Sequence, residues 1–101
     1  MEFILMATDK ATNTPEQRRG LLKVFSQWQP PEGVDMKMLY IATDERHTFG
    51  LFEAESAAAI LQVTSTFGDY LEFEVFPVVP AQEGATIIGQ TQAWVDEVKG
   101  V

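Results

Sequence analysis

The sequence has no cysteine, and that single absence removes disulfides, thiol catalysis and thiolate metal sites together. Histidine is almost as scarce. His47 is the only one, and it sits beside Asp44 and Glu45 in a turn-rich segment, where three near neighbours rarely converge on one ion. A haem enzyme wants a well-placed axial histidine, which a hairpin does not offer. Basic residues are few: seven Lys and Arg against fifteen Asp and Glu give a formal net charge of −8. Nucleic acid and anionic membrane surfaces both need clustered cations, so neither is an expected partner. Arg18, Arg19 and Lys23 form the one small basic group, which reads as a solvated helix face. No apolar run approaches the roughly 18 residues of a membrane span. The opening "MEFILMATDK" is acidic at position 2 and only briefly apolar, unlike a signal peptide, and a cytoplasmic protein is expected. The one asparagine, Asn13, precedes Thr14-Pro15 and makes no glycosylation sequon. GxGxxG, P-loop, HExxH and nucleophile-elbow patterns are all missing. Nucleotide, zinc-protease and hydrolase chemistry therefore lack support, and no cofactor or metal is expected.

What is present is a chain of 101 residues, 46% hydrophobic, enough for one domain with a real core. Apolar alternation predicts strands at Glu2–Thr8, Val34–Thr43, Arg46–Ala54 and Tyr70–Val79. Thr14, Pro15 and Gln17 make a capping box that opens a helix over Pro15–Trp28, with Leu21, Phe25 and Trp28 at helical spacing and Leu22 beside them. "ESAAAILQVTSTFG" reads as a second helix with Ala57, Ile60, Leu61, Thr64 and Phe67 on one face, and Glu53 is placed to serve its N-terminus. The tail is read as a short extended piece at Ala85–Ile88 and a small helix at Gln90–Lys99, with Trp94 and Val98 on show. The order β-α-β-β-α-β plus a tail predicts an α+β, ferredoxin-like domain with core 2–80 and tail 81–101: an antiparallel sheet with both helices on one face.

Two helices cover only one side of such a sheet, and the other side should be polar in a monomer. It is not. Phe3 and Leu5 alternate with Ile4 and Met6 in the first strand. Met36, Met38, Tyr40 and Ala42 are expected to share a face of the second, with Leu39 and Ile41 opposite. Phe49 and Leu51 oppose Gly50 and Phe52 in the third, and Leu71, Phe73 and Val75 oppose Tyr70, Glu72, Glu74 and Phe76 in the fourth. So much apolar surface exceeds the patch a monomer usually leaves bare. A second copy of the sheet is the economical cover, giving a homodimer whose sheets close a barrel around a cavity.

The run "GLFEAESAAAILQVTSTFGDYLEFEVFPVV" resembles a family of stand-alone domains of unknown function in the dimeric α/β-barrel superfamily. Glu53 and Glu55, Phe67, Phe73, Glu74, Pro77 and Val78 occupy the family's positions: acids at the strand end and helix start, an aromatic near the helix end, and a "DFE-hydrophobic-hydrophobic-PV" strand. Members often carry Trp in the second helix, where this chain has Ile60 and Thr64. The resemblance implies the ferredoxin-like fold and the dimer. Its superfamily also holds cofactor-independent monooxygenases, isomerases, cyclases and haem enzymes.

Two functions follow as expectations. In the first, the barrel binds a small hydrophobic or aromatic compound, with Tyr40 orienting it and Glu74 moving a proton as a general base whose apolar surroundings raise its pKa. Met36, Met38, Phe52, Tyr70, Glu72 and Phe76 would line the chamber. In the second, the interior is filled, the glutamates are rim charges, and the domain serves interaction or regulation alone.

Overall fold

Alternation in the first strand sets the layout of the molecule. In the computed structural model, which describes residues 1–100, β1 (Glu2–Asp9) turns Phe3, Leu5 and Ala7 into the core and Ile4 and Met6 away from it. Thr14 then caps α1 (Pro15–Gln27): its hydroxyl accepts from the Gln17 amide at 3.1 Å, and the Gln17 side chain accepts from the Thr14 amide at 2.7 Å. Trp28 turns extended and the helix stops ahead of Pro30 and Pro31. Next come β2 (Val34–Ile41) and β3 (His47–Ala54). Asp44 shapes their hairpin by accepting the amides of Arg46 and His47 at 2.9 and 3.2 Å, and Glu45 takes the left-handed conformation at φ 62°. Ser56 caps α2 (Ala57–Thr66), β4 follows (Leu71–Val78), and α3 runs over Ala81–Lys99.

The four strands form one antiparallel sheet in the order β2-β3-β1-β4, as a ferredoxin-like fold requires. Phe3, Leu5, Phe52, Ala54, Ile60 and Val63 make the buried cluster between sheet and helices. Phe25, Trp28 and Phe67 extend it, with ring centroids 5.3 to 6.2 Å apart. Gly50 is part of this packing. The Phe52 ring lies over it, so closely that a Cβ there would stand 2.5 Å from a ring carbon. Gly20, an unfavourable residue inside α1, has a matching reason: the Tyr70 hydroxyl sits 3.1 Å from where its Cβ would be.

Some expectations about single elements change. α2 buries Val63 with Ile60, while Leu61 faces out. Ser56 alone caps that helix, and Glu53 instead meets Lys37 on the sheet at 2.7 Å. The extended piece expected at Ala85–Ile88 does not exist, because one helix spans the whole tail up to Lys99. It ends where Gly100 turns left-handed (φ 77°) and donates its amide back to the Asp96 and Glu97 carbonyls. This helix buries none of its residues. The radius of gyration is 18.0 Å and the molecule extends 62 × 30 × 20 Å, whereas a compact chain of this length has a radius of about 13 Å. The excess is α3, which reaches away from the body. Among the described residues, no helix is long and apolar enough to cross a membrane.

Candidate functional site on the open sheet face

The register orders the side chains of the uncovered face into rows. Tyr40, Phe49, Met6 and Glu74 lie in line across β2, β3, β1 and β4. The next row is Met38, Leu51, Ile4 and Phe76. These two rows form an apolar floor with a hydroxyl at one edge and a carboxylate at the other. Three inter-strand spacings, about 14 Å, separate Tyr40 from Glu74, so one chain cannot bring them together. The Tyr40 side chain is 64% exposed, and its hydroxyl meets only the Met38 sulfur, at 4.0 Å. Glu74 is exposed and has no hydrogen-bond or ion-pair partner among the described residues.

Polar rows close the floor at both ends. On one side stand His47, Thr8 and Glu72. The His47 ring stacks on Phe49 with centroids 6.5 Å apart, and its Nδ1 lies 2.5 Å from an Asp44 carboxylate oxygen. The Arg46 amide, and after it the His47 side chain, hold Asp44 below its ordinary carboxylate range. On the other side Lys37 reaches Glu53 at 2.7 Å and Glu2 at 3.8 Å. Its hydrogen bond to Glu53 raises the Lys37 pKa and lowers that of Glu53. Among the described residues, no three His, Asp or Glu side chains gather in a way that could hold an ion.

Of the eight site residues read from sequence, Tyr40, Met38, Glu72, Glu74 and Phe76 share this face. The other three do not. A β-bulge between Met36 and Met38 inserts Lys37 and shifts the alternation by one, so Met36 pairs with Phe52 on the helix-covered side. Phe52 is 4% exposed, in the core. Met36 and Phe52 line a different space, an apolar recess of about 170 Å³ between the helices and the sheet. Tyr70 precedes β4, escapes its alternation and packs on Gly20 of α1. His47, expected in a plain exposed hairpin, begins β3 at the edge of the site. Its parity with Phe49 and Leu51 was the available signal.

Residues 1–92 match a domain of unknown function, DUF3303. The chain belongs to that family. No curated protein matches it significantly. Among solved structures, the DUF3303 chain is similar to SCO4226 from Streptomyces coelicolor A3(2), at 17% identity over 80% of this chain and 99% of that one, with a TM-score of 0.53. That likeness is one of fold.

Proposed function

We propose that this DUF3303 chain is a cytoplasmic homodimer whose open sheet faces enclose a chamber for a small hydrophobic or aromatic compound. One observation carries the reading: the row Tyr40–Phe49–Met6–Glu74 puts a hydrogen-bond donor and a carboxylate at opposite edges of an apolar floor that the chain leaves uncovered. A two-fold axis along the strands lays the β4 edge of one sheet over the β2 edge of the other. Tyr40 then faces the partner's Glu74 across the gap of about 10 Å between packed sheets, which the two side chains together span. Each dimer thus gains two Tyr–Glu pairs, neither of which a monomer can form.

The pairing answers the cost of enclosing a carboxylate. An isolated buried charge is unfavourable by several kcal/mol, and the Tyr40 hydroxyl offers the hydrogen bond that compensates. Ile4, Met6, Met38, Phe49, Leu51 and Phe76 supply apolar and aromatic walls, and Met in particular adapts to irregular ligands. A planar compound with a carbonyl or hydroxyl group fits best. Its ring rests on the floor, Tyr40 turns its O–H from the partner's Glu74 to the ligand oxygen, and the released carboxylate takes a proton from an acidic O–H or C–H of the ligand. This scheme uses no cofactor.

A second reading has its own support. Large side chains from two facing sheets can interdigitate and fill the gap, as they do in sandwich cores. The dimer would then have no chamber. A thermal-shift screen of small aromatic carbonyl and phenolic compounds separates the two. Under the chamber reading, hits stabilise the dimer, and Glu74→Gln or Tyr40→Phe removes the shift while light scattering still shows a dimer. Glu72→Gln leaves it nearly intact. A dimer that no such compound stabilises overturns the chamber and leaves the interaction domain.

A further inference from the structure

The recess between α1 and the sheet has a cause that can be read from its floor. Small side chains occupy the middle of the covered face: Ala7 and Thr48 are cross-strand partners, and Gly50 takes the next covered-side position of β3. Leu21, Leu22 and Phe25 of α1 stand over this floor, yet α1 buries none of its residues. Two contacts set where the helix lies. The Tyr70 hydroxyl packs beside Gly20, and Arg18 meets Asp9 at 3.8 Å, so the first half of α1 is drawn to the β1–β4 side. The end of β2 is left uncovered, and the recess opens past Leu22 and Ile41, which are 67% and 73% exposed.

Volume sets the size of an occupant. The recess holds about 170 Å³, and an apolar protein cavity of about 150 Å³ with aliphatic and aromatic walls takes up benzene. Phe25, Trp28, Phe52, Phe67 and Phe73 line the space, and their ring edges and faces suit one further aromatic ring.

One end of the recess is polar, and this sets the chemistry. Asp9 and Thr48 both line it, and the register makes them diagonal neighbours on the covered face, about 7–8 Å apart. The Asp9 side chain is only 20% exposed, and among the described residues it meets Arg18 alone, through Oδ2. Its Oδ1 is therefore free to accept. The Thr48 hydroxyl makes no side-chain hydrogen bond among the described residues. A single hydroxyl placed between them can donate to Asp9 and accept from Thr48. Arg18 already balances the Asp9 charge, so a neutral hydroxyl suits this end better than an ammonium group.

We infer that the recess is a binding site for a small monocyclic phenol, its ring over Ala7 and Gly50 and its hydroxyl between Asp9 and Thr48. The site lies within one chain. It stands apart from the homodimer and from the chamber between sheets, because every residue invoked is on the helix side of a single sheet.

Phenol and toluene, added at millimolar concentration to the methyl-labelled full chain, test this by isotope-edited NOE spectroscopy. Ring protons of phenol should show NOEs to the methyls of Ala7, Leu21, Val63 and Leu71, which line the recess. Thr48→Val removes the hydroxyl and nearly keeps the shape, so phenol should bind about three- to tenfold more weakly, with toluene unchanged. NOEs confined to Ile4, Met6 and Leu51 overturn the site, because the phenol then lies on the open face. NOEs to neither face overturn it as well. So does a Thr48→Val protein that changes its affinity for phenol and toluene equally, since the hydroxyl then has no place at the polar end.

Discussion

The two faces of this sheet are built from similar residues and meet different fates. On one, Phe3, Leu5, Phe52 and Ala54 lie beneath two helices and are almost wholly buried. On the other, Ile4, Met6, Phe49, Leu51 and Phe76 occupy the intervening positions of the same strands, with no layer of their own chain above them. Apolar content alone does not separate a core from an interface, because both are read from the same alternation. Charge placement does. Among the described residues, the covered-side positions turn polar only at one end, with Thr48 and Asp9, whereas the open face carries Tyr40, Glu72, Glu74 and the Lys37–Glu53 pair around its apolar centre. That arrangement, apolar in the middle and polar at the edges, is the anatomy that the proposed dimer requires of this face.

Removing bulk from the covered face should have the largest effect on stability. Phe52→Ala should cost about 3–5 kcal/mol in chemical denaturation, with the loss independent of protein concentration, because the cavity lies within one chain. Gly50→Ala should cost about 1–3 kcal/mol, since its new methyl would stand 2.5 Å from the ring of the buried Phe52 and force that ring to shift. Phe49→Asp on the open face should behave in the opposite way. The fold of the single chain should change by about 1 kcal/mol or less, while the oligomer mass falls to 11.3 kDa. A large, concentration-independent loss for Phe49→Asp would break the distinction between the faces.

The smallest effect expected is electrostatic, at the rim of the open face. Glu53 has a lowered pKa, so its contribution is fully present above its ordinary value of 4.5 and is lost as pH falls through the lowered one. Lys37 has a raised pKa, so its contribution is present below 10.5 and is lost as pH rises through the raised value. Lys37→Met should flatten both limbs slightly in a pH series of melting temperatures. Both groups are exposed and screened by solvent, so only a small change is expected. A large one would mean that the pair is buried by contacts a single chain does not show.

Much of the fold was legible because local signals agreed with one another. The Thr14–Gln17 capping box, the Pro15 start, the proline stop after Trp28 and the alternation of β1 and β4 all specify the observed elements. The site was legible only in part, and each miss has a local cause. A bulge carries no sequence mark here, so Met36 was assigned the parity of Met38. Phe52 was expected beside the ligand, although its own alternation with Leu51 places it under the helices. Tyr70 lies one residue outside β4, where pleating no longer fixes its direction. The glycines at positions 84 and 89 weaken helix propensity, and this hid the continuity of α3. The proposed Tyr40–Glu74 pairing lies beyond any single chain, because the two residues stand on opposite edges of one sheet.

If a second copy of this chain covers the open face, the molecular mass in solution reports it. Sedimentation equilibrium at micromolar concentration and neutral pH should give about twice the 11.3 kDa chain mass for the unaltered protein and a single chain mass for Phe49→Asp. A well-folded unaltered chain that sediments at 11.3 kDa across that range would mean that no second copy covers the face. So would a Phe49→Asp protein that stays dimeric, because the dimer would then be held by some other surface.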